Sequence, residues 1–68
     1  MEVLSKFAVY TGKQSRTTYR IVMRDDGMYQ IEEFLSNVVY WTPAYKKAFA
    51  TERELLSSVQ FRNLFIPQ

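Results

Sequence analysis

The sequence predicts a small α+β fold: an antiparallel sheet of three to four strands built on a β-hairpin, packed by a C-terminal α-helix. Three observations carry this expectation. Thr17–Arg24 and Met28–Leu35 are rich in β-branched and aromatic residues and are joined by Asp25-Asp26-Gly27, a hairpin turn signal. Val3–Tyr10 alternates well enough to supply a strand before them. Near the end of the chain, Thr51-Glu52-Arg53-Glu54 has the form of a helix capping box.

In the first strand Val3, Phe7 and Val9 fall on one side, with Ser5 the exception, and Leu4, Lys6, Ala8 and Tyr10 on the other. Thr11 to Ser15 reads as a turn or loop. In the second strand Tyr19, Ile21 and Met23 alternate with Thr18, Arg20, Val22 and Arg24.

The hairpin register can be argued. A two-residue loop at Asp26-Gly27 would set Val22 opposite Ile31 and Ile21 opposite Glu32, which mixes the faces. A three-residue loop, with a type I turn and Gly27 in the left-handed region, sets Ile21 opposite Ile31, Met23 opposite Tyr29 and Arg20 opposite Glu32. The second register separates polar from apolar residues and pairs opposite charges, so it is preferred.

The alternation of the partner strand breaks at Glu32-Glu33-Phe34, where a bulge would return Phe34 to the core. Val38–Trp41 reads as a further short strand. Thr42-Pro43 suits either a helix start or a turn, and Tyr45–Phe49 either a helical turn or an edge strand; the residues do not choose. From the Thr51 cap a helix should run from about Glu52 to Arg62, with Leu55, Leu56 and Val59 on its buried side. Leu64-Phe65-Ile66 is a short apolar segment, ended by Pro67, that either packs back as a small strand or is offered to a second subunit.

The 68 residues make one domain, 1–68. At this size hydrophobic burial and conformational entropy nearly cancel, and small domains are usually helped by a disulfide, a metal or a second subunit. The chain has no Cys and no His. That leaves no disulfide and neither ligand type of a structural zinc site. Good packing or a homodimer is the remaining expectation. The net charge of +2 is too even to establish a polyanion partner. The longest uncharged run, Phe34 to Tyr45, is far below the ~20 residues that span a bilayer. The first residues lack a basic region followed by an apolar stretch, so no signal peptide is expected. The expected location is cytoplasmic, with no membrane partner.

Catalysis has little to work with. The usual general base and the usual activated thiol are missing. Lys6, Lys13, Lys46 and Lys47 sit in polar settings, unlike a desolvated catalytic lysine. Glu32 and Glu33 are strand neighbours that point to opposite faces, so they form no carboxylate dyad. Asp25-Asp26-Gly27 lacks the further oxygen ligands of a calcium loop. No catalytic, cofactor-binding or metal-binding residue is assigned, and no enzyme is expected.

Two binding readings remain. Arg16, Arg20 and Arg24 recur every fourth residue, on one face of a strand, with Lys13 nearby. They would suit phosphate contacts of a nucleic-acid-binding module, or they form a solvated face with Arg20 paired to Glu32 and Arg24 near Asp25 or Asp26. Tyr40, Trp41, Tyr45 and Phe49 form an aromatic cluster beside Lys46 and Lys47, and Phe65 adds an apolar tail. These suit a protein interface, because Trp and Tyr supply rigid contact area, although a small core would absorb some of them. The leading expectation is a small regulatory or inhibitory protein of prokaryotic or phage type that binds another protein or complex. The alternative is a nucleic-acid-binding module using the arginine-lined sheet face.

Overall fold

Four antiparallel strands follow one another across a single sheet in the order β1-β2-β3-β4: β1 is Glu2–Thr11, β2 Ser15–Met23, β3 Tyr29–Leu35 and β4 Tyr40–Pro43. Two short helices follow, α1 Glu52–Leu56 and α2 Val59–Asn63. The computed structural model describes residues 1–11 and 15–65, and side chains outside 10–16. Among the described residues no helix is long and apolar enough to cross a membrane.

The β2–β3 hairpin has the register that segregation of polar from apolar residues favours: Ile21 faces Ile31, Met23 faces Tyr29 and Arg20 faces Glu32. Its loop is closed by Arg24 N–H donating to the Met28 carbonyl at 2.7 Å and Gly27 N–H to the Arg24 carbonyl at 3.0 Å. Gly27 has φ 83, the left-handed conformation that a type I turn followed by a bulge requires.

One face of the sheet is covered. Val9, Ile21, Ile31, Phe49, Leu55 and Leu64 form the core, with Phe7, Tyr19, Tyr29, Ala44, Tyr45 and Phe61 packed against it. Phe7 is the aromatic hub at the β1 side, with its ring centroid 5.8 Å from those of both Phe61 and Phe65 and 5.9 Å from that of Tyr19. Burial pushes the Tyr19 phenol up, and the charge of Glu33, its partner across the ladder, adds to the shift.

Three local expectations are corrected, and one open choice is decided. The bulge lies in β1, not β3. Val3 stands opposite Val22 and Ser5 opposite Ile21, so Leu4 is the extra residue. This inserted residue explains why Val3 and Phe7 do not share a face. β3 pairs regularly along its length, and Phe34 therefore stays on the uncovered face, where Trp41 stands opposite it at 5.1 Å between centroids. The short fourth strand begins at Tyr40; Val38 and Val39 belong to the turn before it. Thr42-Pro43 ends that strand, and Phe49 forms a single bridge to Tyr29, so segment 42–49 is sheet edge and bend rather than helix.

The third correction is the helix. Glu52 to Arg62 does not run through; it breaks at Ser57-Ser58. The Ser57 hydroxyl donates to the Arg53 carbonyl at 2.9 Å, and the Ser58 hydroxyl accepts from Phe61 N–H at 3.1 Å, starting a second helix. Adjacent serines offer the backbone an alternative to the helical ladder, and here that alternative is taken. The break turns Leu64 and Phe61 toward the core and leaves Leu56 and Val59 exposed, so of the three residues expected on the buried side only Leu55 is buried. The Thr51 cap itself is present, with its hydroxyl accepting from Glu54 N–H at 3.1 Å.

Candidate functional site

The uncovered face of the sheet has a charged centre. Arg20 Nε donates to Glu32 Oε1 at 2.6 Å, and the two side chains are only 16% and 5% exposed. Gln30 Nε2 donates to the second carboxylate oxygen at 2.8 Å. Arg20 also lies over the Trp41 ring, 4.4 Å from its centroid, and approaches the Met1 sulfur at 3.9 Å. A buried charge needs this completeness. Each oxygen of Glu32 has a donor, and the guanidinium has both a carboxylate and an aromatic face. Among the described residues no buried side-chain polar atom lacks a partner.

That centre takes Arg20 out of any simple basic ladder. Arg24 is also engaged, with NH2 2.8 Å from Asp26 Oδ2. Lys13 lies outside the described residues. Arg16 is placed by its pairing with Tyr10 alone. The structure therefore does not bring the four basic candidates together as one cluster of unpaired cations.

The aromatic candidates divide. Phe49 is a core residue and Tyr45 packs against that core. Trp41 is half-buried beneath Arg20 and beside Phe34. Phe65 is half exposed, with one face on Phe7 and an edge contact to Phe61. Tyr40 is 61% exposed.

Tyr40 belongs to a larger feature that the sequence reading did not single out. Leu35, Val38, Val39 and Tyr40 are all exposed large apolar residues, and all lie at the tip of the β3–β4 hairpin. The turn between them is closed by Val38 N–H donating to the Leu35 carbonyl at 3.3 Å. Val39 then takes φ 52, the one positive φ at a non-glycine residue among those described. A β-branched side chain is a true outlier there. Phe34 and Trp41 stand opposite one another just behind the tip, their rings packed with centroids 5.1 Å apart. The available signal was apolar residues on both sides of Ser36-Asn37. Their β-branching pointed to strand instead.

No family model, curated protein or solved structure matches this chain.

Proposed function

We propose that this is a non-enzymatic regulatory or inhibitory protein that acts by occupying a surface of another protein, with the β3–β4 hairpin tip as its contact. The observation that carries the reading is the placement of Leu35, Val38, Val39 and Tyr40. Single exposed apolar residues are ordinary, but a contiguous apolar tip marks an interaction surface. The strain at Val39 supports it. Backbone strain is retained where surrounding structure holds it for a purpose, and glycine or asparagine would remove it here. Tyr40 supplies the amphipathic ring common at interface hot spots, and Trp41 stiffens the base. The nucleic-acid reading draws less support, because Arg20, the middle of the arginine series, is buried in its pair with Glu32.

Site-specific photo-crosslinking tests the proposal. A crosslinker at Asn37 should give a discrete adduct with one foreign protein, absent when the crosslinker is at Glu52 on α1. The adduct should be lost in a folded Val38→Asp, Tyr40→Ser variant. If Asn37 gives none while Glu52 does, the tip is not the contact. An adduct with a second copy of this chain would make the surface a homodimer interface. Gel-shift titrations with DNA and RNA at low and high salt cover the alternative: tight, steeply salt-dependent binding would favour it over protein binding.

A further inference from the structure

The ladder on the outer edge of β3 is interrupted once. Leu35 pairs with Tyr40 and Glu32 with Pro43 in regular register, and Ala44 N–H still donates to the Ile31 carbonyl at 2.9 Å. Pairing resumes at Tyr29, which exchanges both backbone bonds with Phe49 at 2.8 Å. Unbroken register would set Tyr29 opposite Lys46; it meets Phe49, three residues later. The edge therefore carries three extra residues, and such insertions re-aim side chains and are kept where a site needs them.

The inserted segment builds a cleft against the sheet edge. Tyr45 goes to the core, while Lys46 and Lys47 stay exposed. With Arg24, Gln30 and Ala44 these residues line a space of about 430 Å³, within the ~300–1,000 Å³ range of small-molecule sites. Among the described residues that line it, three are cationic and none is acidic. Glu54 shares the adjoining cleft with Lys47, and two other carboxylates in this region are already paired. Asp26 holds Arg24 at 2.8 Å, and Glu32, which holds Gln30, is neutralised by Arg20. Arg24, Lys46 and Lys47 against Asp26 and Glu54 leave one net positive charge.

We infer that this cleft binds a phosphate monoester: a small organic molecule carrying one dianionic phosphate. Asp26 engages one edge of the Arg24 guanidinium and fixes its direction, leaving further N–H donors for a second anion. Lys46 and Lys47 are flexible point charges able to close on it. The Lys47 ammonium now rests 5.3 Å from the Phe49 ring centroid and would leave that ring for the phosphate. The Tyr45 and Ala44 side of the cleft gives the organic body an apolar wall, and the space exceeds what a lone phosphate fills. This site is separate from the hairpin tip and stands or falls independently of it.

Backbone-amide NMR titrations at constant ionic strength test the inference, with inorganic phosphate, phenyl phosphate and phenol as probes. Phenyl phosphate should give saturable shifts centred on Gln30, Ala44, Lys46 and Lys47, bind more tightly than inorganic phosphate, and leave the tip residues still. Phenol alone should shift nothing. A Lys46→Gln, Lys47→Gln variant with an otherwise native spectrum should bind about tenfold more weakly or worse, the size of a lost charge-assisted hydrogen bond. Linear, unsaturable shifts, or equal affinity in that variant, would overturn the site. Equal affinity for phenyl phosphate and inorganic phosphate would overturn the organic part of the ligand.

Discussion

β3 is entered through one turn and left through another, and the two are built by opposite means. At Arg24–Met28 each position does what its residue type does well. Gly27 takes φ 83, Asp26 Oδ1 accepts from Met28 N–H at 3.0 Å, Asp26 Oδ2 holds Arg24, and Asp25 meets the Met1 ammonium at 2.7 Å. At Ser36–Val39 the left-handed position is filled by valine, and the turn is closed by one backbone bond of 3.3 Å. Val39 is 77% exposed, so no burial offsets its strain. Selection for stability alone would give the second turn the residues of the first. Places where a chain departs from local preference without a packing return are where function is expected.

The largest expected effect comes from giving the first turn the defect of the second. Nothing lies within 4 Å of where a Cβ on Gly27 would sit, so the cost of Gly27→Val is set by the left-handed backbone. That cost should be about 2 kcal/mol, near the upper end for an L-residue in the left-handed region. In a domain of this size it lowers the melting temperature by roughly 10 °C. A midpoint within a degree or two of the parent would mean that the turn adapts and that Gly27 does not set the hairpin.

The converse change sharpens the contrast. Val39→Gly removes the strain at the tip and should raise stability by about 1 kcal/mol, after the entropy that glycine loses on folding. Denaturant midpoints should rise with an unchanged slope. Crosslinking from Asn37 should weaken in the same protein, because the tip loses both a side chain and its rigid shape. A variant more stable and equally adhesive would separate the strain from the binding role.

These two turns also mark how far the sequence could be read. Asp25-Asp26-Gly27 was legible to the register, because a hydrophobic pattern on each side and a glycine between them allow one separation of faces. The second turn was not. Val38 and Val39 carry strand propensity, and propensity reports fit to a pleated surface rather than position in a chain. Phe34 was sent to the core because the alternation breaks at Glu32-Glu33-Phe34, which a bulge in β3 would have repaired. Its partner Trp41 lies across a strand pairing that local sequence does not reveal. The capping hydroxyl of Thr51 was visible, but the second start at Ser58 was hidden inside an apolar helical pattern. Of the proposed binding surface, Tyr40 and Trp41 were legible by type, and their apolar neighbours only through the turn that exposes them.

A smaller effect tests the side-chain support of the first turn. Asp26→Ala removes an exposed hydrogen bond to Met28 and an exposed ion pair to Arg24. The first should be worth about 0.5–1 kcal/mol and the second a few tenths at most. Adding salt should remove little of the loss, since most of it belongs to the backbone bond. The counterpart Asn37→Ala should be nearly neutral, because Asn37 has no hydrogen bond among those described. If Asn37→Ala destabilises as much as Asp26→Ala, the two turns are less different than their geometry implies.

The smallest effect lies at Asp25. The hydrogen bond from the Met1 ammonium, and then its charge, hold the Asp25 carboxyl below the usual range. A folded value below the unfolded one means that the unfolded chain binds more protons between the two, so stability rises with pH across that window. The contribution is complete above the unfolded value, about 3.9, and disappears as pH falls through the folded one. Asp25 is fully exposed, so the effect is screened and belongs to titration rather than to melting curves. Carboxyl ¹³C titration should place Asp25 below the ordinary aspartate range at low salt and bring it upward at high salt. Acetylating the Met1 amine should return it to the ordinary range. An Asp25 midpoint indifferent to both would mean that the tie from the start of β1 to this turn does not form in solution, and the first turn would then rest on Gly27 and Asp26 alone.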